Sequence, residues 1–132
     1  MKSTRYFLAG FMISTLFSGC FQLFDSGSAT TINVVFNPSK TKQAIVFIKG
    51  GNATEPDSYQ VSIKDADDDL GETEVGNTFT VDSNHGTASL NSASITLKWV
   101  SDNDLNISYD KKLRTFIQMK VVNRVIVVYQ PR

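Results

Sequence analysis

The chain has 132 residues, 41% of them hydrophobic, and its 13 basic and 13 acidic side chains leave no net charge. That length suits one ordinary domain with its own core. Neutrality excludes the basic footprint of a nucleic-acid binder, and a single cysteine excludes an intramolecular disulfide.

The chain opens on Lys2 and Arg5. Residues 6–17 are then apolar or small and carry no charge, and Ser18, Gly19 and Cys20 follow. Basic start, apolar middle and small-residue end is the layout of an export signal. A dozen helical residues reach only ~18 Å, against ~30 Å of hydrocarbon, so residues 1–19 read as a removed signal rather than a transmembrane helix. Ser18, Gly19 and Cys20 resemble the bacterial lipobox. Phe17 departs from that pattern, which usually has Leu, Val or Ile there; Leu16 lies one place too early. The resemblance implies that the chain is cut before Cys20, that its thiol is diacylated, and that the acyl chains hold the protein at a membrane. The alternative is an ordinary secretory signal cut after Gly19, leaving Cys20 as a free thiol. Phe21 stands where an inner-membrane lipoprotein commonly has Asp, which points to the periplasmic face of an outer membrane. Without the signal, which holds two basic and no acidic residues, the chain is two charges negative. Residues 20–31 become small and polar after Phe24 and are expected to form a tether.

From residue 32 the hydrophobic period is two. Ile32 to Phe36 is a short apolar run, and Asn37, Pro38 and Ser39 make a turn signal. Ala44, Ile45, Val46, Phe47 and Ile48 are continuously apolar, as in a strand buried on both faces, with a loop expected from Lys49. Tyr59, Val61 and Ile63 alternate with Gln60, Ser62 and Lys64, which predicts a strand with one wet face. Residues 65–76 are acidic and have no period. Phe79 and Val81 alternate with Thr78, Thr80 and Asp82, and Ser83 to Gly86 has turn composition. Ile95, Leu97 and Trp99, then a polar turn at residues 101–104, then Leu105, Ile107 and Tyr109, read as a hairpin. Residues 116–122 and 125–129 are two further strands, joined by a two-residue turn at Asn123 and Arg124, although Asn-Gly would signal such a turn more strongly. The last strand is apolar on both faces, so it is expected to be central or covered. The whole predicts an all-β domain over residues 32–132, an antiparallel meander of seven or eight strands forming a sandwich or partial barrel.

Several segments occur in a characteristic order: Ala44 to Phe47; Asn52, Ala53 and Thr54; Tyr59 to Ile63; Gly76 to Val81; His85 and Gly86; Ile95 to Trp99; and Leu105 to Asp110. Together they resemble a widespread group of small uncharacterised bacterial lipoproteins, over most of residues 35–130. Many members carry a Cys-Gly-Ala-Thr stretch. Gly51, Asn52, Ala53 and Thr54 stand in its place here, so no thiol role carries over. The resemblance implies a fold and a location, and no mechanism.

Candidate chemistry is sparse. His85, the one histidine, lies between Asn84 and Gly86 and reads as a turn residue rather than a base. Asp65, Asp67 and Asp69 alternate as at the start of a calcium loop. Leu70 and Gly76, however, occupy the places where an EF-hand needs Gly and Glu. A solvated acidic loop is expected over residues 65–74, with a weak Ca²⁺ site as the alternative. Tyr59, Trp99, Tyr109 and Tyr129 are expected in or beside the core. The loops at residues 49–57 and 83–92 are the expected recognition surfaces. No catalytic residue and no cofactor is assigned. The expected role is a membrane-anchored, non-enzymatic binding or accessory lipoprotein of the cell envelope that meets an envelope protein. An inhibitor or immunity protein against a hydrolase or toxin is the alternative; a hydrolase or a purely structural lipoprotein ranks below both.

Overall fold

The computed structural model describes residues 27–50 and 56–132. The export signal, Cys20 and most of the expected tether lie outside the described residues, as does the Gly51 to Thr54 stretch. Among the described residues there are nine strands: β1 (Ala29–Phe36), β2 (Lys42–Lys49), β3 (Ser58–Asp65), β4 (Phe79–Asp82), β5 (Ile95–Ser101), β6 (Asp104–Tyr109), β7 (Arg114–Gln118), β8 (Val121–Val122) and β9 (Val125–Pro131). They form two sheets in the orders β1-β2-β3-β4-β7 and β5-β6-β9-β8. The inner faces meet in one core of Ala44, Val46, Val61, Ile63, Phe79 and Val81 from the first sheet and Ile95, Leu97, Leu105, Ile107, Val125 and Val127 from the second. The expected all-β sandwich is therefore present. Its first strand begins at Ala29, three residues before the expected domain boundary.

Local sequence explains much of this. In β1 the register shifts between Thr31 and Asn33. This extra residue turns Ile32 and Val35, an odd number of places apart, toward the same core. The β5–β6 hairpin turns where its polar residues predict, with Ser101 opposite Asp104. Asn123 and Arg124 link Val122 to its partner Val125 with φ of 50° and 65°, the left-handed pair that a two-residue type I′ turn requires. Two aromatic side chains fasten the sides of the sandwich. Trp99 Nε1 donates to Val35 O at 2.9 Å, joining β5 to β1. Tyr129 Oη donates to Thr78 O and Met119 O, between the two sheets on the other side.

Four expectations need correction. Gln60 and Ser62 are buried, not wet, because the segment 66–76 folds back over the outer face of β2 and β3. Gln43 Nε2 donates to Asp65 O and Asp68 O, Gly76 N donates to Gln60 Oε1 at 2.7 Å, and Asn77 N donates to Ser62 Oγ. Lys49 is a buried strand residue rather than the start of a loop, and its ammonium donates to Thr73 O on the same segment. Residues 116–122 are two strands, not one. β7 pairs with β4 in the first sheet, and after Met119 and Lys120 the chain crosses to the second sheet as β8. Finally, the meander is broken by one parallel pair. β9 lies between β6 and β8 and runs parallel to β6. That agrees with the expectation that the last strand is flanked, although Ile126 and Val128 remain exposed on its outer face.

Candidate functional site

Three turns meet at one end of the sandwich. Asn37 organises the first. Its Oδ1 accepts from Thr41 N and Lys42 N, and its Nδ2 donates to Thr41 Oγ1 and to Asp102 O in the β5–β6 turn. Ser39 N donates to Asp102 Oδ1 at 2.8 Å. Ile126 N donates to Asn103 O, which ties β9 to the same hairpin turn. The β8–β9 turn is held from below, because Asn123 Nδ2 donates to Ile63 O at 2.7 Å and Lys42 Nζ donates to Asn123 O. Asn77 pairs with Ile63 as a strand would, its Nδ2 donating to Ile63 O and its Oδ1 accepting from Ile63 N. The Ile63 carbonyl thus receives both amides.

Between these elements opens a cleft of about 410 Å³, lined by Lys42, Ile63, Lys64, Asp65, Asp68, Asn77, Asn123 and Arg124. Its size lies within the ~300–1,000 Å³ of small-molecule sites, but its walls are charged where such sites are mostly apolar. Lys64 is already engaged. Its ammonium donates to Asp69 O at 2.8 Å and pairs with the Glu74 carboxylate at 3.1 Å. The Arg124 side chain enters none of the hydrogen bonds or ion pairs among the described residues.

The calcium candidates do not assemble. Asp65 ends β3, and Asp67 and Asp69 are exposed on the following loop. Among the described residues no three carboxylate, imidazole or thiol groups converge on a point that could hold a metal. Two of the loop carbonyls are turned inward, Asp68 O to Gln43 and Asp69 O to Lys64.

The loop 83–92 lies at the opposite end of the sandwich, as does Lys49, from which the other expected recognition loop departs. Here Asp82 is buried and paired with Arg114, whose guanidinium also stacks on Phe116 at 4.8 Å. Burial pushes the Asp82 carboxyl up. Hydrogen bonds from Arg114 and Asn84 N, with the charges of Arg114 and His85, pull it below the usual carboxylate value. His85 sits with φ 58° in the turn that its neighbours predict. Its Nε2 lies 3.1 Å from Arg114 Nη1, so in the neutral ring this nitrogen accepts from the guanidinium. A lone pair engaged in this way is not aimed at a serine hydroxyl. A second hollow at this end, about 430 Å³, is bordered by Arg132, whose guanidinium already holds Ser108 Oγ and Ala93 O. Tyr59 is buried in the core, and Trp99, Tyr109 and Tyr129 pack against it, as their strand positions predict.

The cleft was not visible in the sequence. Its residues come from β2, β3, the 66–76 segment, Asn77 and the last hairpin. One local signal existed, an arginine in a turn position that favours glycine.

Fold and site together define a small β-sandwich with a charged cleft at its turn end. Comparison with protein-family models, with curated proteins and with solved structures returns no match.

Proposed function

We propose that this chain is a lipid-anchored envelope protein whose β-sandwich is a non-enzymatic binding module, with the turn-end cleft as its binding surface. One observation carries this reading. β1 starts at Ala29, which pairs with Lys49, whereas the cleft is built around Lys42 at the other end of the same strand. Eight strand residues separate the two ends by roughly 25 Å. An acyl anchor on Cys20 would therefore enter the domain at one end and leave the cleft facing away from the membrane. Anchoring confines a weak binder to one surface, where modest affinity suffices. The signal pattern, the lipobox likeness and the resemblance to small uncharacterised bacterial lipoproteins support the location. Phe21 after the cysteine favours an outer membrane where the cell has one.

The test follows a C-terminally tagged chain in the cell of origin. Wild type is expected in the membrane fraction, labelled by a fatty-acid probe, and Cys20→Ala is expected to lose the label and leave that fraction. Wild type recovered unlabelled in the soluble fraction rejects the anchor. A photo-crosslinker at Asp68, on the cleft rim, is expected to capture an envelope component that the same probe at Thr87, at the far end, does not. Equal capture from both positions rejects the cleft as the binding surface.

A further inference from the structure

Arg124 occupies the second central position of the β8–β9 turn with φ of 65°. Glycine adopts that conformation freely. A side chain there costs on the order of 1 kcal/mol. The turn does not need the guanidinium. It is closed by the Val122–Val125 pair and held by Asn123 Nδ2 on Ile63 O and Lys42 Nζ on Asn123 O. A strained backbone thus presents a planar, two-pronged cation to the cleft without any structural return, and strain of this kind gathers at functional positions.

The same cleft also carries the complementary charge. Asp65 and Asp68 line the same cleft, and their carboxylates take part in no hydrogen bond or ion pair among the described residues. The adjacent Lys64 is held by Glu74 and by Asp69 O, and Lys42, across the ladder from Asp65, turns its ammonium to Asn123 O instead. Neither the Lys64–Glu74 nor the Arg114–Asp82 ion pair involves Arg124, Asp65 or Asp68, so these three line the cleft without closing on each other.

This arrangement selects among ligand chemistries. A simple anion such as phosphate would meet Arg124 and the Lys42 ammonium held on Asn123 O, but also two carboxylates. A metal cation would find no third carboxylate, imidazole or thiol converging there among the described residues. A molecule with a carboxylate at one end and an ammonium at the other satisfies both charges, since a guanidinium fork matches a carboxylate in two parallel hydrogen bonds.

From this cleft, and resting on its reading as the binding surface, we infer that it takes a zwitterionic amino acid or short peptide with free ends, the Arg124 guanidinium receiving the carboxylate and Asp65 and Asp68 the ammonium.

Calorimetric titration of the full chain with glycine, dialanine and trialanine tests this. At least one is expected to bind, and to bind about tenfold or more weakly once its amine is acetylated or its carboxylate amidated. Arg124→Gly is expected to raise Tm, by relieving the turn, while abolishing binding. Asp68→Asn is expected to weaken the ligands with a free amine and leave the acetylated ones unchanged. Blocked and free peptides binding alike, Arg124→Gly binding like wild type, or no binding by any of the three, overturns the assignment. If these ligands fail while the Asp68 crosslinker still captures a component that the Thr87 probe does not, the ligand class is wrong and the binding module stands. If both fail, both fall.

Discussion

Asp82 shows how one residue can report on an end of the molecule. It is buried, paired with Arg114, and accepts from Asn84 N. Its carboxyl is held below the ordinary value, so folding favours the ionised form. The stabilisation is complete above the unfolded-state value, about 3.9, and is lost as pH falls through the lower folded-state value. Urea midpoints measured from pH 7 down to pH 2 are therefore expected to show a steep acid limb in wild type that flattens in Asp82→Asn. An equally steep limb in the variant would mean that other carboxylates carry it. The sequence announced none of this. Asp82 alternates correctly with Val81, but nothing near it names Arg114, 32 residues further on. His85 is the opposite case. Asn84 and Gly86 beside it made its turn legible, because those residue types tolerate the left-handed backbone seen there.

At the scale of elements, the segment 66–76 is the part that local pattern conceals. Its acidity suggested a solvated loop, and its side chains are indeed mostly exposed. Its backbone, however, is bonded onto the outer face of β2 and β3, and this buries Gln60 and Ser62. Gly76 lies closest. A Cβ there would meet Gln60 Cβ at 2.8 Å and Val61 O at 3.1 Å. Gly76→Ala is expected to destabilise the domain by about 1–3 kcal/mol, with faster hydrogen exchange in the 66–76 segment as its local signature. Unchanged exchange there would show that the segment is held by other contacts. The crossing after β7 was hidden for a related reason. Residues 116–122 hold no glycine or proline to mark the break at Met119 and Lys120, so one pattern covers two strands in different sheets. The β5–β6 and β8–β9 hairpins were legible because adjacent strands, turn residues and register all lie within one window.

Across the whole molecule the charges are segregated. Residues 65–74 carry six acidic side chains and no basic one, while residues 111–132 carry six basic and no acidic ones. Neutral overall composition conceals this, and only the topology brings Asp65 and Asp68 to the same cleft as Arg124. The two sheets share a single core, so they are expected to unfold together. Trp99, which joins β5 to β1, reports on the docking of the sheets. Tryptophan fluorescence and far-ultraviolet circular dichroism should give coincident urea transitions, and a fluorescence change that precedes loss of strand signal would show that the sheets separate first. One feature of the strand order bears on biosynthesis. β6 is made before β7, which goes to the other sheet, and its second neighbour, β9, is made last of the nine. A chain emerging in order, from a ribosome or through a translocation channel, thus holds β6 with one row of amides and carbonyls unmet until residue 131 is free. A chaperone acting on this protein would find its natural target in that waiting edge, and the native sandwich can close only after release.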